Sequence, residues 1–356
     1  MEPVTHFLFG AAMGRAGLNR KTALATATLT LAAEAPDVDV LSRFGGSAFG
    51  MNHHRGFTHS FLGVPLVAAA VVGFIYLLWR LRGRKTRDPN LPARWGLLFA
   101  FACLAGFSHI LLDFTTSYGV RPFWPFSERW YSWDIIFIVE PVLLVVLVLG
   151  LLLPALFSLI NEEIGAGNKG PSARPAGRLA ATLALAAVFA YWGLSDYEHR
   201  RAIAALESRN YQGADALRVS AFPYMTNPFR WYGVAETRNS FATADVDSLA
   251  PEVDPQAQMQ IHYKPEETAV TLAAKKTYLG RVYLSWARYP ITETEQLEND
   301  PVSSERPAYV VRFRDLRYDY PGNRAHNTLG AAVFLTRDLQ VVDEGFGTGS
   351  GNGKIR

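Results

Sequence analysis

Apolar positions along this chain come in two textures. Up to about residue 194 they form long unbroken blocks, and beyond it they alternate with polar positions over short runs. A membrane-spanning helix needs roughly 20 apolar residues, within a range of about 17–25. Phe61–Trp79, Trp95–Leu112 and Ile135–Ile160 meet that requirement, and the Ala-rich Leu179–Leu194 is a fourth, shorter candidate. Val4–Leu18 and Thr22–Ala35 are shorter still, nearer a re-entrant or buried helix than a full span. The stretch from Arg20 to Ala33-Glu34-Ala35 imitates a signal peptide with an A-x-A site. Threonines interrupt its apolar run and Pro36 would directly follow the cut, so cleavage is not expected.

After residue 194 the pattern changes. Gln258–Lys264, Thr268–Ala273, Arg281–Trp286, Tyr309–Phe313 and Ala331–Thr336 alternate at period two between Pro, Gly, Asn and Asp turns, which reads as strands. Asp196–Arg209 reads as a helix continuing from the last span, and Gly345–Gly353 as a frayed Gly-rich tail. The expected class is α+β. A polytopic α-helical membrane domain over 1–194 precedes a mostly antiparallel β soluble domain over 195–356.

Charge sharpens this division. Residues 1–194 hold 16 Lys+Arg against 11 Asp+Glu, and residues 195–356 hold 19 against 21. In the first part the basic residues cluster: Arg15, Arg20 and Lys21; then Arg80, Arg82, Arg84, Lys85, Arg87 and Arg94; then Lys169, Arg174 and Arg178. The positive-inside rule assigns those loops to the cytoplasm. Threading the chain alternately then sends the opposite helix ends, and the C-terminal domain, to the periplasmic side of a bacterial inner membrane. No basic stripe with interleaved aromatics exists, so nucleic-acid binding is not expected. The single cysteine, Cys103, excludes an intrachain disulfide. Oligomeric state is not readable.

The chemistry-bearing residues gather at those opposite ends. Five of the eight histidines lie in the first 109 residues. Pro36-Asp37-Val38-Asp39 closes an apolar helix, and its two carboxylates can converge on a cation or form a polar helix-exit turn. His53-His54-Arg55-Gly56-Phe57-Thr58-His59-Ser60 precedes a span. Here His54 and His59 are candidate ligands, Thr58 a candidate helix cap, and Arg55 a fork for phosphate or carboxylate. A snorkelling interface cluster is the alternative. His109 and Asp113 stand at i, i+4 on one helix face, as two ligands, as a ligand with its orienting carboxylate, or as an isolated buried pair. His6 is a further candidate ligand. Glu140, before Pro141, reads as a group behind the site or a buried neutralised acid. Trp124, Trp130, Tyr131 and Trp133 read as an interfacial belt. His199, His262 and His326 read as surface residues. H-E-x-x-H, G-x-S-x-G, P-loop and CxxC motifs are absent.

At these motifs the sequence resembles the YdjM-like family, inner-membrane proteins grouped as metal-dependent hydrolases and named for regulation by the SOS repressor LexA. The matching residues are Thr5-His6 with Gly10, Pro36-Asp37-Val38-Asp39, His54-Arg55-Gly56-Phe57-Thr58-His59-Ser60 and His109 through Gly119. The resemblance covers about the first 160 residues and continues in Asn227-Pro228-Phe229-Arg230-Trp231. Family members often carry Asp-Pro where this chain has Glu140-Pro141. The family is grouped distantly with zinc-dependent phospholipase C and P1-type nuclease folds. The resemblance therefore implies a hydrolase, and it names no substrate.

The resulting expectation is a membrane-embedded metallohydrolase. His6, Asp37, Asp39, His54, His59, His109 and Asp113 are its candidate ligands for a divalent ion of the Zn²⁺ kind. Arg55 and Arg121 are its candidate charge stabilisers. A site at headgroup level points to membrane lipids and to a lipid-like or phosphorylated substrate. Two rivals remain at this stage. One is a non-catalytic, metal-stabilised membrane protein recruiting a partner through its β domain. The other is a transporter built around Glu140. A hydrolase needs an open coordination position, a structural site is closed by four protein ligands, and a transporter needs a path to Glu140 from both sides.

Overall fold

The structure is a computed structural model. It describes residues 1–86, 88–164, 174–297, 306–321 and 329–347. Arg87, Lys169, His326 and the tail after Gly347 lie outside them. The chain forms two compact units. The first comprises Met1–Asp39, Arg55–His199 and Pro223–Phe229; the second comprises Val40–His54, Arg200–Phe222 and Arg230 onward.

The first unit is helical. α1 (Pro3–Arg15) begins with Glu2 accepting the Thr5 N–H and a proline where no backbone donor is needed. It packs on α2 (Ala25–Glu34) through Gly10 and Gly14, spaced as G-x-x-x-G. A Cβ on Gly10 would stand 2.7 Å from the Leu29 carbonyl oxygen, and one on Gly14 2.8 Å from Thr26 Oγ1. Such close backbone approach is how small residues pack helices where no hydrophobic force drives them together. Two of the three threonines of α2 bond back along the chain, Thr28 and Thr30 donating to the Leu24 and Thr26 carbonyls at 3.0 and 2.8 Å.

α4 (Gly63–Leu81) and α5 (Trp95–Phe114) pack at Gly106, where a Cβ would meet Val64 Cγ1 at 2.8 Å. The core of this unit gathers Phe9, Leu29, Leu98, Ala102, Leu112, Leu147 and Trp192. α6 spans Pro141–Ile164, and α7 runs from Arg174 to Glu207. Among the described residues, three helices are long and apolar enough to cross a membrane: Gly63–Leu81, Trp95–Phe114 and Gly177–Glu207.

Two expectations change here. The block starting at Ile135 becomes helix only at Pro141, so Glu140 is not inside a span. Its carboxylate accepts the Val142 and Thr226 N–H groups at 3.2 and 3.3 Å, working as a cap for α6. In addition, Thr58 caps no helix. Phe57–His59 is a single 3₁₀ turn, and Ser60 Oγ accepts the Gly63 N–H at 2.9 Å where α4 begins.

In the second unit α3 (Ser47–His53) accompanies two sheets. The first contains β1 (Arg218–Tyr224), β2 (Asn227–Glu236), β3 (Ser240–Asp247), β4 (Glu252–Val253) and β5 (Gln260–Tyr263). The C-terminal turns of α7 pack on it, with Leu206 filling the space over Gly233. The second is antiparallel in the order β6 (Pro290–Gln296), β7 (Tyr309–Asp315), β8 (Ala331–Leu335), β9 (Val341–Phe346).

The strands expected at Thr268–Ala273 and Arg281–Trp286 are helices instead: α8 (Ala269–Lys276) and α9 (Tyr278–Trp286). Thr268 and Thr271 form a reciprocal capping box, and Thr277 caps Gly280. Leu279, Val282, Tyr283 and Trp286 are buried at i, i+3, i+4 and i+7, a helical face that short alternation had masked.

Candidate metal centre

Four side chains converge at one end of the helical unit. Asp37 lies in the 3₁₀ segment Ala35–Gly45 that continues α2, His59 in the turn before α4, and His109 and Asp113 one turn apart on α5. One ligand atom from each lies within 4.8 Å of the others. His59 Nε2 stands 3.0 Å from His109 Nε2 and 3.4 Å from both Asp37 Oδ1 and Asp113 Oδ2. His109 Nε2 stands 3.5 Å from the same two oxygens. Donors about 2.0–2.1 Å from a tetrahedral ion are separated by about 3.3–3.4 Å, and the five distances just given, 3.0–3.5 Å, bracket that spacing.

Tautomers make the case for a cation. His109 Nδ1 is 2.6 Å from the Ala33 carbonyl oxygen, which can only accept, so Nδ1 carries the hydrogen. His59 Nδ1 is 3.2 Å from Asp39 Oδ2 and 3.1 Å from Thr58 Oγ1, and the Asp39 carboxylate likewise holds a hydrogen on Nδ1. In neutral rings both Nε2 atoms are then lone pairs, pointing at each other and at two carboxylates. Four acceptors meeting at one point require a positive charge between them.

The protonation preferences express the same demand. Burial opposes a charge on His59, but the carboxylates of Asp113, Asp37 and Asp39 outweigh it and raise the ring to about 10. Burial likewise opposes ionisation of Asp37, yet hydrogen bonds from His109 and His59 prevail and hold it well below the usual carboxylate range. The Asp37 side chain is 24% exposed, whereas those of His59, His109 and Asp113 are fully buried, so the cluster reaches the surface at Asp37.

The other expected site residues take distinct places. Asp39 stands behind His59, where it fixes the ring and accepts the Arg55 N–H at 2.6 Å. Carboxylate–histidine pairs of this kind orient metal-binding imidazoles. Arg55 donates to Asp113 Oδ1 at 2.7 Å and to the Gly119 carbonyl at 2.9 Å, with its guanidinium 4.7 Å over the Tyr118 ring. Its φ of +51° is unusual for a residue with a side chain and costs roughly 1–3 kcal/mol, a strain found mostly at functional sites. His6 is fully buried, stacks on His109 at 3.7 Å, and reaches Asp113 Oδ1 at 3.5 Å. Neither of its ring nitrogens has a hydrogen-bond partner among the described residues. The Met1 α-amino group also lies against Asp113 Oδ1. Arg121 is buried under Trp130, 4.7 Å from its ring centre. His54 ends α3 in the second unit and is not one of the four converging residues.

Several contributors had no sequence signal. The Ala33 and Gly119 carbonyls act through backbone atoms, and Thr58 acts on His59 rather than as a cap. Glu34 is half-buried one turn before Asp37, and burial, then the Asp37 charge, raise its carboxyl to about 7. The i, i+3 spacing of these two acids was the available clue.

Span-length helices carrying a buried His/Asp cage define a polytopic membrane protein with a candidate metal centre. Residues 1–202, more than half of the chain, match the family described as YdjM inner membrane protein, and the chain belongs to that family. It is also 28% identical over 149 residues to the uncharacterized protein YfhP of Bacillus subtilis (strain 168). That similarity covers 40% of this chain and 42% of YfhP, so the match spans less than half of that relative. No solved structure matches.

Proposed function

We propose that the chain is a metal-dependent hydrolase of the inner membrane, acting at the outer face on a phosphoester or other ester of a lipid-like substrate. The observation that carries this reading is the convergence of the His59 and His109 Nε2 atoms with the Asp37 and Asp113 carboxylates at one buried point. The donor set supports catalysis over a purely structural ion, because structural zinc sites are built largely on thiolates and catalytic ones on imidazole and carboxylate. When bound, a Zn²⁺-like ion supplies Lewis acidity and a water activated near neutral pH.

The chain's own residues do the rest. Asp39 and the Ala33 carbonyl hold the proton on each Nδ1 and so keep both Nε2 atoms available. Arg55 fixes the rotamer of Asp113 and, with Arg121, supplies buried positive charge for a developing phosphoryl oxygen. His6, whose Nε2 lies 3.5 Å from Asp113 Oδ1, is a further donor for the ion or for a proton in transit. Partial exposure of Asp37 supports access from that side. The clustering of Lys and Arg at the opposite helix ends supports a periplasmic site.

A metal clamp without catalysis has one observation in its favour: four protein donors join the segment after α2, the turn before α4 and α5. The experiment that separates the two is a phosphoester and lipid-ester screen on metal-loaded, chelated and His59→Ala protein. Metal-dependent turnover absent from His59→Ala supports the hydrolase. A large metal-dependent gain in melting temperature with no turnover on any ester supports the clamp.

A further inference from the structure

The α1–α5–α7 side of the helical unit carries a groove of about 570 Å³. That volume lies within the roughly 300–1,000 Å³ typical of ligand sites. Phe9 and Met13 of α1, Leu104 and Phe107 of α5, and Leu185 and Phe189 of α7 make its walls apolar. Its charged lining residues are Lys21 and Arg178, and both stand at the end away from the metal cluster. From Arg178 to Phe189 the groove follows eleven residues of α7, about 16 Å at the helical rise. Arg178 is held there deliberately. Its Nε–H donates to the Ala16 carbonyl at 3.1 Å, and the guanidinium lies over Gly17. A Cβ on Gly17 would approach Nε to 3.2 Å, and the residue's φ of +138° already favours glycine.

We propose that this groove binds one anionic phospholipid of the inner leaflet, its phosphate between Lys21 and Arg178 and one acyl chain along α5 and α7. Charge complementarity selects the occupant. Two cations at one end of a membrane-facing apolar slot suit a phosphate attached to a hydrocarbon chain. Basic pockets between membrane helices on the cytoplasmic side recognise acidic lipid headgroups in this way. By the distribution of Lys and Arg, that end is the cytoplasmic one. The bound lipid is distinct from the substrate, because its phosphate lies at the opposite end of the helices from the Asp37/His59/His109/Asp113 cluster. The proposal therefore stands or falls independently of hydrolysis.

The test uses full-length protein in detergent, supplied with phosphatidylglycerol or phosphatidylethanolamine. Lipid retained after delipidation is read by native mass spectrometry, alongside thermal stability. Wild type should retain phosphatidylglycerol preferentially. Lys21→Gln and Arg178→Gln should each lower that preference by roughly five-fold, the size expected for one basic residue meeting anionic lipid. Leu104→Trp, which fills the groove, should abolish retention of either lipid, whereas Arg80→Gln at the end of α4 should change nothing. Glycerol phosphate alone should not stabilise the protein. Equal retention of both lipids by wild type, unchanged preference in Arg178→Gln, or equal stabilisation by glycerol phosphate would overturn the proposal. So would a change of oligomeric state in Leu104→Trp with lipid retention intact, because the groove would then be an interface between copies.

Discussion

His59 and His109 present their Nε2 atoms to each other across 3.0 Å, while each ring's Nδ1 is already committed, to Asp39 and to the Ala33 carbonyl. Two imidazoles arranged this way repel unless a proton or a metal ion lies between them. The arrangement divides the nearby acids into those facing that point, Asp37 and Asp113, and one standing behind, Asp39.

That division predicts unequal mutational effects. Asp113→Asn should remove bound metal, because Asp113 Oδ2 faces both Nε2 atoms. Asp39→Asn should weaken metal affinity by about 10–100-fold while leaving a site, the usual effect of losing an orienting partner. Competition against a fluorescent chelator measures both. Equal losses in the two variants would mean that Asp39 is itself a ligand.

Arg55 serves two acceptors, Asp113 Oδ1 and the Gly119 carbonyl, through one planar guanidinium. Removing one partner of a buried ion pair costs about 3–5 kcal/mol. Arg55→Ala should therefore lower the melting temperature sharply. Arg55→Lys should rescue little, because an ammonium cannot span both acceptors. A thermal melt of the three proteins in one detergent is the check, and full rescue by lysine would show that charge alone suffices.

How much of this was legible in the sequence depended on the range of the interaction. The His109–Asp113 pair was readable because i, i+4 spacing fixes a shared helix face. That His59 and Asp37 meet this pair was inferable only from their common membrane level, and the choice between Asp37 and Asp39 was not readable at all. Both acids follow Pro36, and a 3₁₀ turn decides which faces the histidines. Gly10 and Gly14 carried a helix-packing signal that polar-motif searching passes over. Short period-two runs misled at Thr268–Ala273 and Arg281–Trp286, where threonine caps and a helical stripe prevail.

The glycines of α1 allow a test that touches no ligand. Gly10→Val would force α1 away from the Leu29 carbonyl and Ala33, and so disturb both His6 and the carbonyl that orients His109. Overpacking of this kind costs about 1–3 kcal/mol. Gly10→Val should lose stability and metal together, whereas Gly73→Val, facing open space on α4, should lose neither. Melting temperature and metal content of the two variants read this out.

The pH dependence has a defined sign. His59 in the metal-free protein titrates near 10 instead of its ordinary 6.5. The stability contributed by its charged ring is therefore complete below about pH 6.5 and is lost as pH rises through about 10. Asp37, whose carboxyl is depressed, contributes stability above its usual value of 3.8 that is lost as pH falls through its lower folded value. A divalent ion must displace the His59 proton, so metal affinity should rise with pH up to about 10 with release of about one proton per ion. Calorimetry in buffers of different ionisation enthalpy measures that proton. No buffer dependence would show that His59 stays outside the coordination.

Elemental analysis of purified, membrane-inserted protein tests the central claim most directly. Wild type should carry about one divalent ion per chain, and His59→Ala and Asp113→Asn should carry almost none while still inserting. Wild-type protein that remains metal-free after reconstitution, or variants with undiminished metal content, would contradict it.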